Sequence, residues 1–160
     1  MSLSLDIDLS QQRLRLLEQA VEQAVYPISS ALNGPGERMH SGCTPRGPHR
    51  IRACIGAGQP AGAVFVGRRP TGEIYSPALA RQAPQRDWIL SRILWLGGLQ
   101  AGFNRYGSVD SQARYIYIHG TNEEDRLGQP VSHGCIRMAN AAVIELFEQV
   151  RAGTPVNIHE

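Results

Sequence analysis

The sequence predicts a mainly β protein with two helices, an α+β fold, and three observations support this prediction. Several short segments alternate apolar and polar residues, which is the pattern of a strand with one buried face. Two other segments space their apolar residues as a helix does. Stretches rich in glycine and proline separate these segments. With 160 residues and 42% hydrophobic content, the chain is long enough for one core, so we expect a single domain over residues 1–160.

The predicted strands are spread over the whole chain. The first two, residues 3–8 and 12–18, are joined at Leu9-Ser10-Gln11 and form an expected edge hairpin. The other strands are predicted at residues 20–29, 49–54, 63–66, 114–119 and 155–159, the last as a closing strand. Residues 33–36 and 56–62 are turns by composition.

Two amphipathic segments are predicted to be helical. The apolar residues of segment 87–96 form one stripe behind Asp87, which is a suitable N-cap. Segment 140–151 has Asn140 as its expected N-cap, one apolar stripe, and Gly153 just past its end.

The segment from His119 to Met138 places one cysteine and two histidines where acyl-transfer chemistry needs them. Cys135 lies in the sequence Ser-His-Gly-Cys-Ile-Arg, and His119 ends an apolar, alternating stretch. A strand end and a glycine-bearing turn could therefore bring an imidazole to a thiol. A thiol with a pKa of roughly 8.5 is only about a few per cent thiolate at neutral pH, so it needs a base. We identify Cys135 as the candidate nucleophile and His119 or His133 as the candidate base.

The residues around Cys135 suggest how a substrate would be held. Gly134 leaves room for a carbonyl group, and the N–H groups of Gly134 and Cys135 are the candidate oxyanion hole. Arg137 is a candidate partner for a substrate carboxylate, or else forms an ion pair at the helix entrance. Ser132 and Thr121 are weaker candidates for substrate binding, because their hydroxyls suit hydrogen bonds within loops.

Three other interpretations compete with this one. A single cysteine is most often a buried structural residue, but the flanking histidine and glycine argue against that here. A zinc site of His119, His133 and Cys135 is rejected, because two of the ligands are only two positions apart and no second cysteine or carboxylate pair has ligand spacing. A binding module that has lost its chemistry would not need an intact His119, Gly134 and Cys135.

The motifs resemble those of a known family. His119-Gly120-Thr121, followed by Ser132-His133-Gly134-Cys135-Ile136-Arg137-Met138, is similar in spacing and identity to the signature of the L,D-transpeptidase catalytic domain of the YkuD type. Residues 5–14 resemble the opening hairpin of that family, and residues 41–47 its Thr-Pro-x-Gly segment. The resemblance covers nearly the whole chain.

The resemblance implies a fold, a reaction and a substrate. The fold would be a YkuD-like, β-sandwich or barrel-like catalytic domain that needs no metal or cofactor. His119 would be the base, and His133 would shape the pocket. The cysteine would attack the third residue of a peptidoglycan tetrapeptide stem or muropeptide, typically at meso-diaminopimelate, and expel the terminal D-Ala. Transfer of the resulting thioester to water would make the protein an L,D-carboxypeptidase of peptidoglycan recycling, and transfer to an amine would make it a transpeptidase.

Charge and cysteine content limit the partners and the location. The net charge is +2 and the chain has no basic run, so a nucleic-acid groove is not expected. Residues 1–8 lack a signal-peptide pattern, and no stretch reaches the roughly 18 apolar residues of a membrane span. Three irregularly spaced cysteines do not form a disulfide framework. We expect a cytoplasmic protein; the alternative is a periplasmic one whose signal segment precedes this sequence.

Overall fold

The computed structural model describes residues 2–160, which form ten strands and two α-helices. The strands are β1 (Leu3–Asp8), β2 (Arg13–Glu18), β3 (Val21–Pro27), β4 (Gly47–Ile55), β5 (Ala63–Val66), β6 (Arg69–Ile74), β7 (Ile89–Gly98), β8 (Tyr117–Gly120), β9 (Ile136–Met138) and β10 (Pro155–His159). The helices are α1 (Pro77–Gln82) and α2 (Asn140–Gln149). The predicted class, mainly β with two helices, is confirmed.

One mixed sheet contains all ten strands. Its main path runs β3-β2-β1-β10-β4-β7-β5-β6, and β8 pairs with β7 and with β9. Strand β7 is therefore the branch point, because it pairs with β4, β5 and β8, each time antiparallel. Strands β8 and β9 are parallel to one another. This arrangement places the segment that ends in His119 beside the segment that follows Cys135.

The main core lies between the sheet and α2. Val143 and Leu146 of α2 are fully buried against Leu94, Ile118 and other sheet residues. Burial of a side chain of this size contributes about 1.5–3 kcal/mol. Helix α2 is therefore held by tertiary packing, and it fixes the position of β8 from behind.

The predicted helix over residues 87–96 is wrong, because this segment is strand β7. The strand is buried on both faces, so its sequence is almost continuously apolar and lacks simple alternation. Ser91 has a φ of 72°, and the β7–β8 register shifts between Leu90 and Ile93, as at a bulge. The added residue moves the apolar positions into a spacing that imitates a helix. Asp87, the expected N-cap, precedes the strand.

The two helices differ from the predictions in detail. The short helix α1 was not predicted, although Ser76 caps it by accepting a hydrogen bond from the N–H of Leu79 at 3.1 Å and Pro77 is its first residue. Helix α2 was predicted, but its N-cap is Ala139 and not Asn140. The Asn140 amide instead donates to the carbonyl of Thr121 at 2.8 Å.

The remaining strand predictions agree with the structure within a few residues, except for strands β6 and β9, which were not predicted. Neither helix of residues 2–160 is long and apolar enough to cross a membrane.

Candidate active site

The pair formed by strands β8 and β9 has two faces, and these carry different side chains. In their parallel register Ile118 lies opposite Ile136, and His119 lies opposite Arg137. Ile118 and Ile136 belong to the main core. Since side chains alternate along a strand, His119 and Arg137 point to the other face. Cys135, the residue before β9, belongs to that face too.

Cys135 is held by the backbone of the segment that leads into β8. The N–H of Tyr117 donates to Sγ at 3.3 Å, and the thiol donates to the carbonyl of Tyr115 at 3.4 Å. Burial raises the pKa of the Cys135 thiol to about 11, and the N–H of Tyr117 opposes this effect by favouring the thiolate. At neutral pH the Cys135 thiol is therefore protonated, and it would need a base to act as a nucleophile.

His119 has the tautomer that a base needs. Its Nδ1 lies 2.7 Å from the carbonyl oxygen of Gly120, and a carbonyl can only accept a hydrogen bond, so Nδ1 carries the proton. Nε2 is then the unprotonated acceptor. The ring is 1% exposed, and burial lowers the pKa of His119 below its usual value. A neutral imidazole therefore accompanies a neutral thiol.

The turn before Cys135 depends on glycine. Gly134 has a φ of 137°, and a Cβ at this position would lie 3.3 Å from the carbonyl oxygen of Cys43. The hydroxyl of Ser132 accepts from the N–H of Gly134 at 3.2 Å and donates to the carbonyl of Cys135 at 2.6 Å. Thr44 donates its hydroxyl to the carbonyl of Gly134 at 2.9 Å. One of the two predicted oxyanion donors, the N–H of Gly134, is thus engaged with Ser132 in the free protein.

Cys135 opens into a cleft of about 580 Å³. Its walls come from the turn at Gly134, from residues 113–116 and from the loop around Met39 to Gly42. Arg114 ties this loop down by donating to the carbonyl of Cys43 at 2.7 Å and to the carbonyl of Glu37 at 3.1 Å. Burial lowers the pKa of Arg114, and its positive charge lies near enough to favour the Cys135 thiolate. Sequence reasoning missed Arg114, because its partners lie more than 70 residues away.

His133 is exposed and separates this cleft from a second, more polar groove of about 390 Å³. Arg137 lines that groove and pairs with Glu123 at 3.0 Å and with Asp87 at 3.5 Å. Arg137 therefore forms an ion pair in the free protein, which is one of the two roles expected for it. The role of Arg137 in substrate binding stays a prediction. Arg86 lines the groove as well, so two guanidiniums and two carboxylates face it and their formal charges cancel.

The hydroxyls of Thr121 and Ser132 form hydrogen bonds to the protein backbone. Thr121 is fully buried and accepts the N–H of Glu123 at 3.0 Å, and Ser132 is 2% exposed. The structure thus favours their loop roles over substrate contact. Within residues 2–160, no three His, Cys, Asp or Glu side chains are grouped as metal ligands.

A half-buried thiol at the cleft, a neutral imidazole with its basic nitrogen free, and a glycine turn before the cysteine are the groups that cysteine acyl-transfer chemistry requires. The chain belongs to the L,D-transpeptidase catalytic domain family, whose family model matches residues 3–158. The resemblance seen in the sequence is confirmed.

Curated sequences similar to this chain carry L,D-transpeptidase names. YkuD of Bacillus subtilis is 55% identical over 90 residues, which is 56% of this chain and 44% of YkuD. YqjB of the same organism is 44% identical over 63 residues, 39% of this chain and 34% of YqjB. YbiS of Escherichia coli is 49% identical over 43 residues, 27% of this chain and 14% of YbiS. The chain therefore spans less than half the length of these relatives.

Solved structures show the same fold at low identity. L,D-transpeptidase 3 from Mycobacterium tuberculosis, solved with a faropenem-derived adduct, has a TM-score of 0.61 and 17% identity, covering 99% of this chain and 60% of that chain. The L,D-transpeptidase of Enterococcus faecium has a TM-score of 0.60 and 16% identity, covering 99% of this chain and 50% of that chain. The predicted YkuD-like fold is thereby confirmed.

Proposed function

We propose that this protein cleaves the bond before the terminal D-Ala of peptidoglycan tetrapeptide stems, with water as the main acceptor, and so acts as an L,D-carboxypeptidase. The observation that carries the proposal is the neutral pair of Cys135 and His119 on one face of β8–β9. A neutral pair suits a reaction in which the thiol is deprotonated only as it attacks. The family relationship supplies the substrate class.

The proposed reaction has two steps. In the first, Nε2 of His119 takes the thiol proton, Sγ of Cys135 bonds to the carbonyl carbon of the third stem residue, and the C–N bond to D-Ala breaks. His119 then gives the proton to the departing amine. In the second, His119 deprotonates a water molecule that attacks the thioester. This attack releases the tripeptide and restores the thiol.

The size of the cleft supports water as acceptor. A volume of about 580 Å³ lies within the roughly 300–1,000 Å³ of pockets that hold one drug-sized ligand. The cleft therefore has room for one short peptide beside Cys135, and water needs no groove of its own. A muropeptide would place its sugars outside the cleft.

A second candidate, a transpeptidase that forms 3→3 cross-links, is favoured by the neighbouring grooves. The cleft meets the polar groove at His133. On its other side, at Tyr115, it meets a groove of about 480 Å³ that Trp95 and Tyr106 line. A second stem could reach the thioester from either side and supply an amine.

The products separate these functions. Purified protein is incubated with disaccharide tetrapeptide, alone and with an excess of a second stem that carries a free amine, and the products are weighed by mass spectrometry. Tripeptide and free D-Ala in both mixtures support the carboxypeptidase, whereas a cross-linked dimer as the main product supports the transpeptidase. Cys135→Ala is the matched control. Binding of tetrapeptide without any product in the wild type would mark a non-catalytic module.

The cytoplasmic location expected from the sequence stays a prediction. Fractionation of the native cells would find the protein with soluble cytoplasmic markers. Its release by osmotic shock would instead place it in the periplasm.

A further inference from the structure

Thr44 makes a long-range contact with the turn that bears the nucleophile. Its side chain is fully buried, and Oγ1 lies 2.9 Å from the carbonyl oxygen of Gly134, 90 residues away. The N–H of Ala31 donates to the same Oγ1 at 2.9 Å. A hydroxyl has a single hydrogen to donate, and a carbonyl can only accept, so that hydrogen goes to Gly134.

This contact determines the direction of the neighbouring N–H. The carbonyl of Gly134 and the N–H of Cys135 belong to one planar trans peptide, so they point in opposite directions. By holding the carbonyl, Thr44 directs the N–H of Cys135 the other way. We find no hydrogen-bond partner for this N–H among residues 2–160. A glycine at 134 leaves the peptide free to rotate, so an external contact is needed to fix it.

The backbone of Thr44 is itself anchored. Its N–H donates to the carbonyl of Gly34 at 3.0 Å, and its carbonyl accepts the N–H of Gly36 at 2.9 Å. The hydroxyl is therefore held at a fixed point behind the turn. Because it is buried, it does not contact the substrate.

We infer that Thr44 is a positioning residue that aims the N–H of Cys135 at the oxyanion formed during acyl transfer. The inference rests on the proposed function, in which Cys135 attacks a carbonyl group. It assigns the segment around Thr44 a part in catalysis beyond that of a cleft wall. A purely structural Thr44 would stabilise the fold without affecting one reaction of Cys135 more than another.

Two reagents distinguish these roles, because only one of them forms an oxyanion. Imipenem is attacked at its β-lactam carbonyl: the Sγ–C bond forms, the lactam C–N bond breaks, and the nitrogen takes the proton. Iodoacetamide is attacked at a saturated carbon: the Sγ–C bond forms, the C–I bond breaks and iodide leaves, and the thiol proton passes to His119 and then to solvent. The ratio of the two rate constants at Cys135, followed by peptide mapping at one pH, reports oxyanion stabilisation separately from the reactivity of the thiol.

Thr44→Val removes the hydroxyl and keeps the size of the side chain. We expect imipenem acylation to slow about 10- to 100-fold, below the roughly 10²–10³ seen when an oxyanion donor is removed outright, while iodoacetamide alkylation stays within about twofold. In tetrapeptide turnover kcat should fall more than KM rises. Thr44→Ser keeps the hydroxyl and should restore the ratio. Thr154→Val, which also removes a hydroxyl that accepts a backbone N–H, from Arg151, is the matched control and should leave the ratio unchanged.

An unchanged ratio in Thr44→Val, or equal losses with both reagents, would overturn the role of Thr44. If Thr44→Val does not fold, Thr44→Ala is measured in its place with the same expectation. A wild-type protein whose Cys135 alkylates but is never acylated would overturn the proposed function instead. The two failures are therefore distinguishable.

Discussion

The two faces of the β8–β9 pair bury different kinds of side chain, apolar on one face and polar or charged on the other. One face places Ile118 and Ile136 in the main core, where both are fully buried. The other buries His119 and Arg137 and presents Cys135 to the cleft. The core face is held by apolar packing that tolerates repacking. The catalytic face is held by individual hydrogen bonds, each of which fixes one atom.

This difference predicts that substitutions on the two faces separate stability from activity. A change on the core face should destabilise the protein but leave the chemistry of each folded molecule intact. A change on the catalytic face should do the reverse.

Cys135→Ala should abolish turnover of tetrapeptide, because no other group replaces the nucleophile. Its unfolding midpoint should stay close to that of the wild type. Cys43→Ala and Cys54→Ala should retain activity, since both cysteines are free and neither is the proposed nucleophile. Product analysis of the three variants measures this. Full activity in Cys135→Ala would show that Cys135 is not the nucleophile.

His119→Ala should reduce kcat by about 10² to 10⁴, the usual contribution of general acid-base catalysis. Because burial lowers the pKa of His119, the acidic limb of the wild-type pH-rate profile should lie below the usual value of about 6.5, and it should disappear in the variant. Alkylation of Cys135 should also require a higher pH. If His133→Ala removes the acidic limb and His119→Ala does not, His133 is the base.

Ile118→Ala tests the core face. Deleting this fully buried side chain should lower the free energy of unfolding by about 2–5 kcal/mol, as measured by urea denaturation. At a temperature where the variant is fully folded, its kcat should stay within about threefold of the wild type. A loss of kcat as large as that of His119→Ala would show that the two faces are not separable.

Arg137→Ala should raise KM for tetrapeptide about tenfold if its guanidinium binds a stem carboxylate, as expected for a charge-assisted hydrogen bond. Its stability should change by only about 1 kcal/mol, since Glu123 and Asp87 are partly exposed. Glu123→Gln is the control. It removes the charge of one of the two carboxylates that pair with the guanidinium, and it should not raise KM. Equal increases in KM in both variants would leave Arg137 an ion-pair residue only.

The fold class could be predicted from the sequence because it follows from local patterns, and the same kind of pattern led to the predictions of Cys135 as nucleophile and His119 as base. His119 ends an alternating strand, and Gly134 lies beside Cys135, so short-range spacing brings them into one turn and one strand pair. The YkuD-type motif added the substrate class. Strand β7 was misassigned because burial on both faces removes the alternation that identifies a strand.

The supports of the site could not be predicted, because they join distant parts of the chain. Thr44 lies within the Thr-Pro-x-Gly segment noted in the sequence, but only the structure shows its contact with Gly134. Arg114 holds a loop whose residues precede it by more than 70 positions. Asp87 was expected to cap a helix and instead faces Arg137. Hydrogen bonds of this kind leave no periodic signal in a sequence.

The most direct test of the account is to trap the acyl-enzyme. Purified protein is mixed with imipenem, its intact mass is measured within seconds to minutes, and the modified residue is located by peptide mapping. We expect one adduct per chain, on Cys135, formed by the wild type and absent from Cys135→Ala. An adduct on Cys43 or Cys54 alone, or acylation that survives in Cys135→Ala, would contradict it.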